Sequence, residues 1–181
     1  PQKMQSPFQA LFRAIVYQQL SGKAAAAIMQ RVRAGYPARG FKPAAVLETP
    51  DEVLRAAGMS RAKVLSVKDL AAKTIDGTVP GLARLAKMGD EEIIARLTQV
   101  RGVGVWTVEM LLMFRLGRGD VLPVADLGVR KGFMFTYGLS ELPGAKAMLD
   151  HGECWRPYGS VASRYMWRAG VVPGNSGKLN M

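Results

Sequence analysis

Two features of the sequence could carry chemistry. The first is Asp126, an acid that ends the extended run Val121-Leu122-Pro123-Val124-Ala125 and directly precedes Leu127-Gly128-Val129-Arg130-Lys131. That placement is what a helix N-cap looks like, with a carboxylate accepting amide hydrogen bonds from the first turn. A carboxylate held this way also suits facing a cation that develops during a reaction, so the two roles do not exclude one another. The second feature is Gly102-Val103-Gly104-Val105-Trp106-Thr107, in which two glycines flank one residue. Glycine permits positive φ and lets the backbone approach a ligand closely. Successive amides at such a turn, beside a helix N-terminus, bind anions, phosphate above all. The same residues also make a plain helix C-cap and a short helix–helix connection, which needs no ligand. The hairpin alone leaves both readings open.

The elements around these residues read as helices. Phe8, Leu11, Phe12, Ile15 and Val16 recur at helical spacing behind Pro7, and Leu20 follows one turn further on. Ser21-Gly22 interrupts the pattern, and the small residues from Lys23 to Met29 begin a second helix. Gly35 to Pro43 is a basic loop. Thr49-Pro50-Asp51-Glu52 predicts a helix start, with Thr49 as the cap and Pro50 in the first position, and Gly58 ends that helix. Ser60 caps the next helix, which runs to Gly77, and Asp90-Glu91-Glu92 starts the one that enters the hairpin. Val105 to Leu116 is apolar on most sides and is expected to be a buried central helix, with Glu109 as its one acid. Leu127 to Tyr137 and Ser160 to Ala169 complete the set, and 171–181 reads as a flexible tail. No strand pattern and no internal repeat occur, so the fold class is all-α.

Composition narrows the function classes. The 181 residues hold 25 Lys and Arg against 14 Asp and Glu, a net charge of +11, which favours polyanionic partners. Nucleic acid and an anionic membrane both meet that condition, but no basic amphipathic helix with exposed aromatics supports the second. Cys154 is the only cysteine, which excludes an intrachain disulfide, a Cys-based zinc site and an iron–sulfur cluster. A reducing interior is its natural setting, cytoplasmic or nucleoid-associated in a bacterium and nuclear in a eukaryote. A lone cysteine is expected to be a small buried residue. His151, the only histidine, cannot build a His-based metal cluster and is expected at the surface.

Five segments together resemble the helix-hairpin-helix (HhH-GPD) DNA glycosylase superfamily, and within it the 3-methyladenine DNA glycosylase II (AlkA-like) branch. They are residues 8–21 (FQALFRAIVYQQLS), 58–63 (GMSRAK), 102–107 (GVGVWT), 122–131 (LPVADLGVRK) and 155–162 (WRPYGSVA) running on to Tyr165-Met166-Trp167. The resemblance implies two α-helical lobes, with the helix-hairpin-helix motif flanking a central cleft. The expected division is a hairpin-containing lobe over about 20–135 and a second lobe made of the N-terminal helix and 136–170. It implies a monomer that acts on double-stranded DNA with alkylated bases and hydrolyses the N-glycosidic bond of a flipped-out 3-methyladenine or 7-methylguanine, leaving an abasic site.

Asp126 matches the family's essential aspartate by position. Trp106 stands where bifunctional members carry a Schiff-base lysine, which implies a monofunctional enzyme without lyase activity. Trp106 and Trp167 match pocket aromatics, while Met110 and Leu127 stand where some relatives have tyrosines, so the implied base pocket is less aromatic. Leu20 is the candidate wedge that fills the gap left by the flipped base, with Gln19 and Ser21 probing the groove; alternatively Leu20 completes the core stripe. The amides at Gly102, Gly104 and Thr107 would hold a DNA phosphate, and Arg115 is a further DNA-contact candidate. No cofactor is required. Relatives bind a sodium or potassium ion through hairpin carbonyls, here Thr98, Val100 and Val103. A non-catalytic DNA-binding module would explain the charge and the hairpin, but not the matches at 122–131 and 155–162. A glycosylase for another damaged base is the second alternative.

Overall fold

A computed structural model of the protein describes residues 6–36 and 40–171, which are helical with no strand among them. Contacts divide the chain into two units, one ending at Leu111 and the other beginning at Leu112. The expected boundary near 135 is therefore displaced. The N-terminal helix also belongs with the first unit and not with 136–170, because its apolar stripe is spent on neighbours there. The tail expected over 171–181 lies, Val171 apart, outside the described residues, as does the middle of the basic loop.

The first unit contains α1 (Pro7–Tyr17), α2 (Gly22–Ala34), α3 (Pro43–Glu48), α4 (Asp51–Ala56), α5 (Arg61–Ile75), α6 (Leu82–Leu85), α7 (Asp90–Leu97) and α8 (Val105–Leu111). Ser6, Ser21 and Ser60 each accept a hydrogen bond from a first-turn amide, of Gln9, Ala24 and Lys63 respectively. Phe8, Leu11, Phe12, Ile15 and Val16 bury the α1 stripe completely or nearly so, and α1 packs on α5, α2 and α8. Phe41 closes one end of that core, its ring 4.5 Å from Phe12 and 5.6 Å from Phe8. Thr49 does not cap α4. Its hydroxyl donates to the Ala45 carbonyl and meets the Tyr36 hydroxyl at 2.7 Å, so it closes α3, while Pro50 takes the cap position of α4 without a side-chain bond.

The second unit opens with a π-helical turn, Leu112–Leu116, followed by α9 (Leu127–Thr136), α10 (Ala145–Gly152), a 3-10 turn at Glu153–Trp155 and α11 (Gly159–Ala169). Its core is Val129, Phe133, Met148 and Met166, with Leu122, Val124, Trp155 and Trp167 against them. Helices α9 and α11 approach so closely that a Cβ at Gly132 would lie 1.8 Å from the Met166 carbonyl oxygen. Only glycine fits there. Arg156-Pro157 is a cis peptide. Cys154 is exposed rather than buried, its thiol on the His151 carbonyl at 3.0 Å. His151 is half-buried among Phe133, Tyr137 and Trp155, whose rings lie 4.4–5.1 Å from its own. The expected surface histidine is thus part of an aromatic cluster.

The Gly132 contact is with backbone, which cannot rotate away. Gly132→Ala should therefore lower stability by roughly 1–3 kcal/mol or more in denaturant unfolding. Gly22→Ala, in open space on α2, should stay within about 0.5 kcal/mol of wild type or gain.

Candidate functional site

In the second unit α11 is the template for the acid-bearing segment. Ser160 accepts from the Val121 amide at 3.0 Å and donates to the Arg118 carbonyl at 2.7 Å. Ser163, one turn on, lies with its hydroxyl 3.2 Å from the Val121 carbonyl and 2.8 Å from its own helix's Gly159 carbonyl. Asp120 receives the Gly159 amide at 3.1 Å and the Arg156 guanidinium at 2.9 Å. The extended run is thus pinned at its start by the first turn of α11. Its end is pinned by the last turns of the same helix, where the Trp167 indole donates to Asp126 Oδ1 at 2.7 Å. The Val129 amide donates to the same oxygen at 2.8 Å, so Asp126 is the N-cap expected from the sequence and holds a second, long-range bond besides. Gly128 makes room for this: a Cβ there would lie 2.7 Å from the Trp167 ring and 3.1 Å from Asp126 Oδ1.

Phe114 belongs to this site and was not anticipated. Its ring stacks on Trp167 at 5.7 Å with an interplanar angle of 26°, and the Arg164 guanidinium sits 5.7 Å above it. The sequence read Phe114 as part of a buried helix. The π-helical turn instead leaves it exposed, and such turns concentrate at functional sites. Leu127, beside Asp126, is 52% exposed, and Arg115 is half-buried in the π-helical turn.

In the first unit the hairpin has the expected form. Thr98 ends α7, the Val103 amide returns to the Val100 carbonyl at 3.0 Å, and Gly102 has φ +75°. Helix α8 follows, but it is less buried than its composition suggests: Trp106 is 44% exposed, Met110 is half-buried on the same face, and Glu109 is buried. Thr107 does not present its amide as expected. That amide donates to the Gly104 carbonyl at 3.0 Å and its side chain is buried, because Thr107 closes the first turn of α8. Gly102 and Gly104 remain exposed at the turn.

Helix α5 supports the hairpin from below. Lys73 pairs with Asp69 at 2.8 Å and donates to the Gln99 carbonyl, while Asp69 accepts the Arg101 amide at 2.7 Å. Partial burial raises the Asp69 carboxyl, but the Arg101 amide and then Lys73 lower it further, leaving it below the usual carboxylate range. At the other end of α5, Lys63 donates to the carbonyls of Val16 and Gln18, at 2.7 Å each. There α1 stops, Gln19 takes φ +56°, and Leu20 stands 39% exposed, so it does not finish the core stripe. Ser21 caps α2.

The hairpin carbonyls of Thr98, Val100 and Val103 are neutral oxygen donors, which suit a monovalent cation. No group of three His, Cys, Asp or Glu among the described residues could hold a metal ion, and no described helix is long and apolar enough to cross a membrane.

Because its native carboxyl is lowered, Asp69 contributes stability that is fully present above the ordinary Asp range and lost as pH falls through the native value. The stability deficit of Asp69→Asn should therefore be largest above about pH 5 and vanish in strong acid, which thermal melts across pH will read.

Residues 12–157 match the family described as HhH-GPD superfamily base excision DNA repair protein. The chain is 39% identical over 163 residues to DNA-3-methyladenine glycosylase 1 of Schizosaccharomyces pombe, covering 90% of this chain and 72% of that protein. Among solved structures, a Schizosaccharomyces pombe 3-methyladenine DNA glycosylase in complex with abasic DNA superposes with a TM-score of 0.79 at 38% identity, covering 92% of this chain and 81% of that one. A DNA-3-methyladenine glycosidase from Bacillus halodurans reaches 0.85 at 38% identity, covering 94% and 78%.

Proposed function

Since the chain belongs to the HhH-GPD superfamily of base excision DNA repair proteins, we propose that it is a DNA-3-methyladenine glycosylase. It hydrolyses the N-glycosidic bond of flipped-out alkylated purines in double-stranded DNA and leaves an abasic site. The observation that carries this reading is Asp126, fixed at Oδ1 by both the Val129 amide and the Trp167 indole. Cleavage puts cationic, oxocarbenium-like character on the sugar. A carboxylate already oriented by two donors stabilises that charge without reorganising at the moment of reaction.

The leaving base does much of the rest. 3-Methyladenine and 7-methylguanine carry positive charge, which weakens the glycosidic bond and favours aromatic surface through stacking and cation–π contact. Trp167, stacked with Phe114 beside Asp126, offers such a surface, and so does Trp106 on α8. Leu127 adds apolar surface beside Asp126, and Met110 does so on the Trp106 face of α8, each in place of a further ring. Trp106 has no amine to form a Schiff base, so the reaction ends at hydrolysis with no lyase step, as in the AlkA-like branch. Gln19, Leu20 and Ser21 enter the groove, with Leu20 filling the space left by the flipped base. The Gly102 and Gly104 backbone holds a phosphate, while Arg115 and the excess of Lys and Arg add salt-dependent affinity. The protein acts as a monomer and needs no cofactor. A sodium or potassium ion on the Thr98, Val100 and Val103 carbonyls would add positive charge at the hairpin.

Asparagine caps a helix as well as aspartate and still accepts both hydrogen bonds, so Asp126→Asn removes the charge and little else. Single-turnover release of 7-methylguanine should fall by about 100- to 1,000-fold or more, with DNA binding retained and no strand nicking before alkali. Retained release would overturn the reading. Because lesion charge supplies part of the driving force, hypoxanthine should leave far more slowly than 7-methylguanine, and equal rates would refute that selectivity.

A further inference from the structure

We propose that Gln18 and Lys63 are positioning residues that lock the Leu20 loop to the glycine hairpin, so that wedge and phosphate cradle engage DNA as one body. The inference rests on the reading of Leu20 and the hairpin as DNA contacts. Three segments far apart in sequence meet here. The last carbonyls of α1 lack donors within the helix, as at any helix C-terminus. Lys63 supplies them, reaching the Val16 and Gln18 carbonyls at 2.7 Å. This fixes the point where the chain leaves the helix, and Gln19 then turns through φ +56° to put Leu20 outward.

From that same turn the Gln18 side-chain amide donates to the Gly102 carbonyl at 2.8 Å. Gly102 in turn lies against Ser66, where a Cβ would sit 2.8 Å from the hydroxyl. Ser66 is one turn along α5 from Lys63, so a single helix face supports both partners of the Gln18 bridge. All of these contacts are to backbone, and they define loop shape without reading any neighbouring side chain. Burial at this junction lowers the Lys63 ammonium below its ordinary value, because desolvation disfavours the charged form.

Positioning through Gln18 makes its loss non-additive with loss of the wedge. The test uses Gln18→Met, which keeps length and removes the donor, Leu20→Ala, and the double variant. Each is scored by melting temperature, by affinity for undamaged duplex, by 2-aminopurine fluorescence beside an abasic-site analogue, and by single-turnover release of 7-methylguanine. Gln18→Met should keep its melting temperature and undamaged-duplex affinity, yet lose the fluorescence rise and up to about tenfold in release. The double variant should be no worse than Leu20→Ala. Lys63→Met should behave like Gln18→Met if it folds, and Lys63→Arg should restore function. Additive losses, or a wild-type fluorescence rise in Gln18→Met, would overturn the proposal. If the wild type releases no base, the glycosylase reading fails, and the fluorescence cycle on the abasic analogue still decides whether Gln18 couples to Leu20.

Discussion

The bond from the Trp167 indole to Asp126 spans 41 positions and exists only because α9 and α11 come closer than ordinary side chains allow. Gly132 lies against the Met166 carbonyl, Gly170 packs against the Gly128 and Gly132 backbone, and Gly128 leaves the indole room to reach the carboxylate. Without that approach Asp126 would keep its local cap and lose its long-range anchor. An electrostatic catalyst depends on such fixing, since a carboxylate that must reorient during bond cleavage has already spent much of its advantage. Ser160 and Ser163 serve the same end, because they register the extended run against α11 before it reaches Asp126.

Helix α5 does the corresponding work in the other unit, by polar contacts in place of glycine packing. Its apolar side, with Val64, Val67 and Leu70, is buried in the core beside α1. Its polar positions, Lys63, Ser66, Asp69 and Lys73, meet the backbone of the α1 exit and of the hairpin. A helix serving both purposes sets loops of unrelated sequence in one frame. Loops held only by their own turns would fluctuate independently, at a cost in ordering entropy on binding.

Much of this was written in local sequence. Ser60 and Asp126 each announce a helix and each caps one, because capping is decided within three residues; the structure adds Ser6 and Ser21 as caps of the same kind. The apolar stripe of α1 and the hairpin glycines were equally plain, since helical period and positive φ are local properties. Helices α3, α6 and α10 were not legible: none has a capping side chain or an acid in its first turn, whereas α7, also behind a glycine, is announced by Asp90-Glu91-Glu92. Thr49 misled because its hydroxyl had a second choice, the carbonyl four residues back.

By itself, then, the sequence determined the all-α class, the places of Asp126 and the hairpin, and the family to which these residues belong. The tertiary structure alone decided which unit α1 joins, that Leu20 and Phe114 stand exposed while Thr107 is buried, and that Asp126 answers to Trp167. The reason is range. Caps, turns and periodicity are settled among neighbours a few residues apart, whereas exposure and side-chain partnership depend on which distant surface arrives, and no local pattern encodes that arrival.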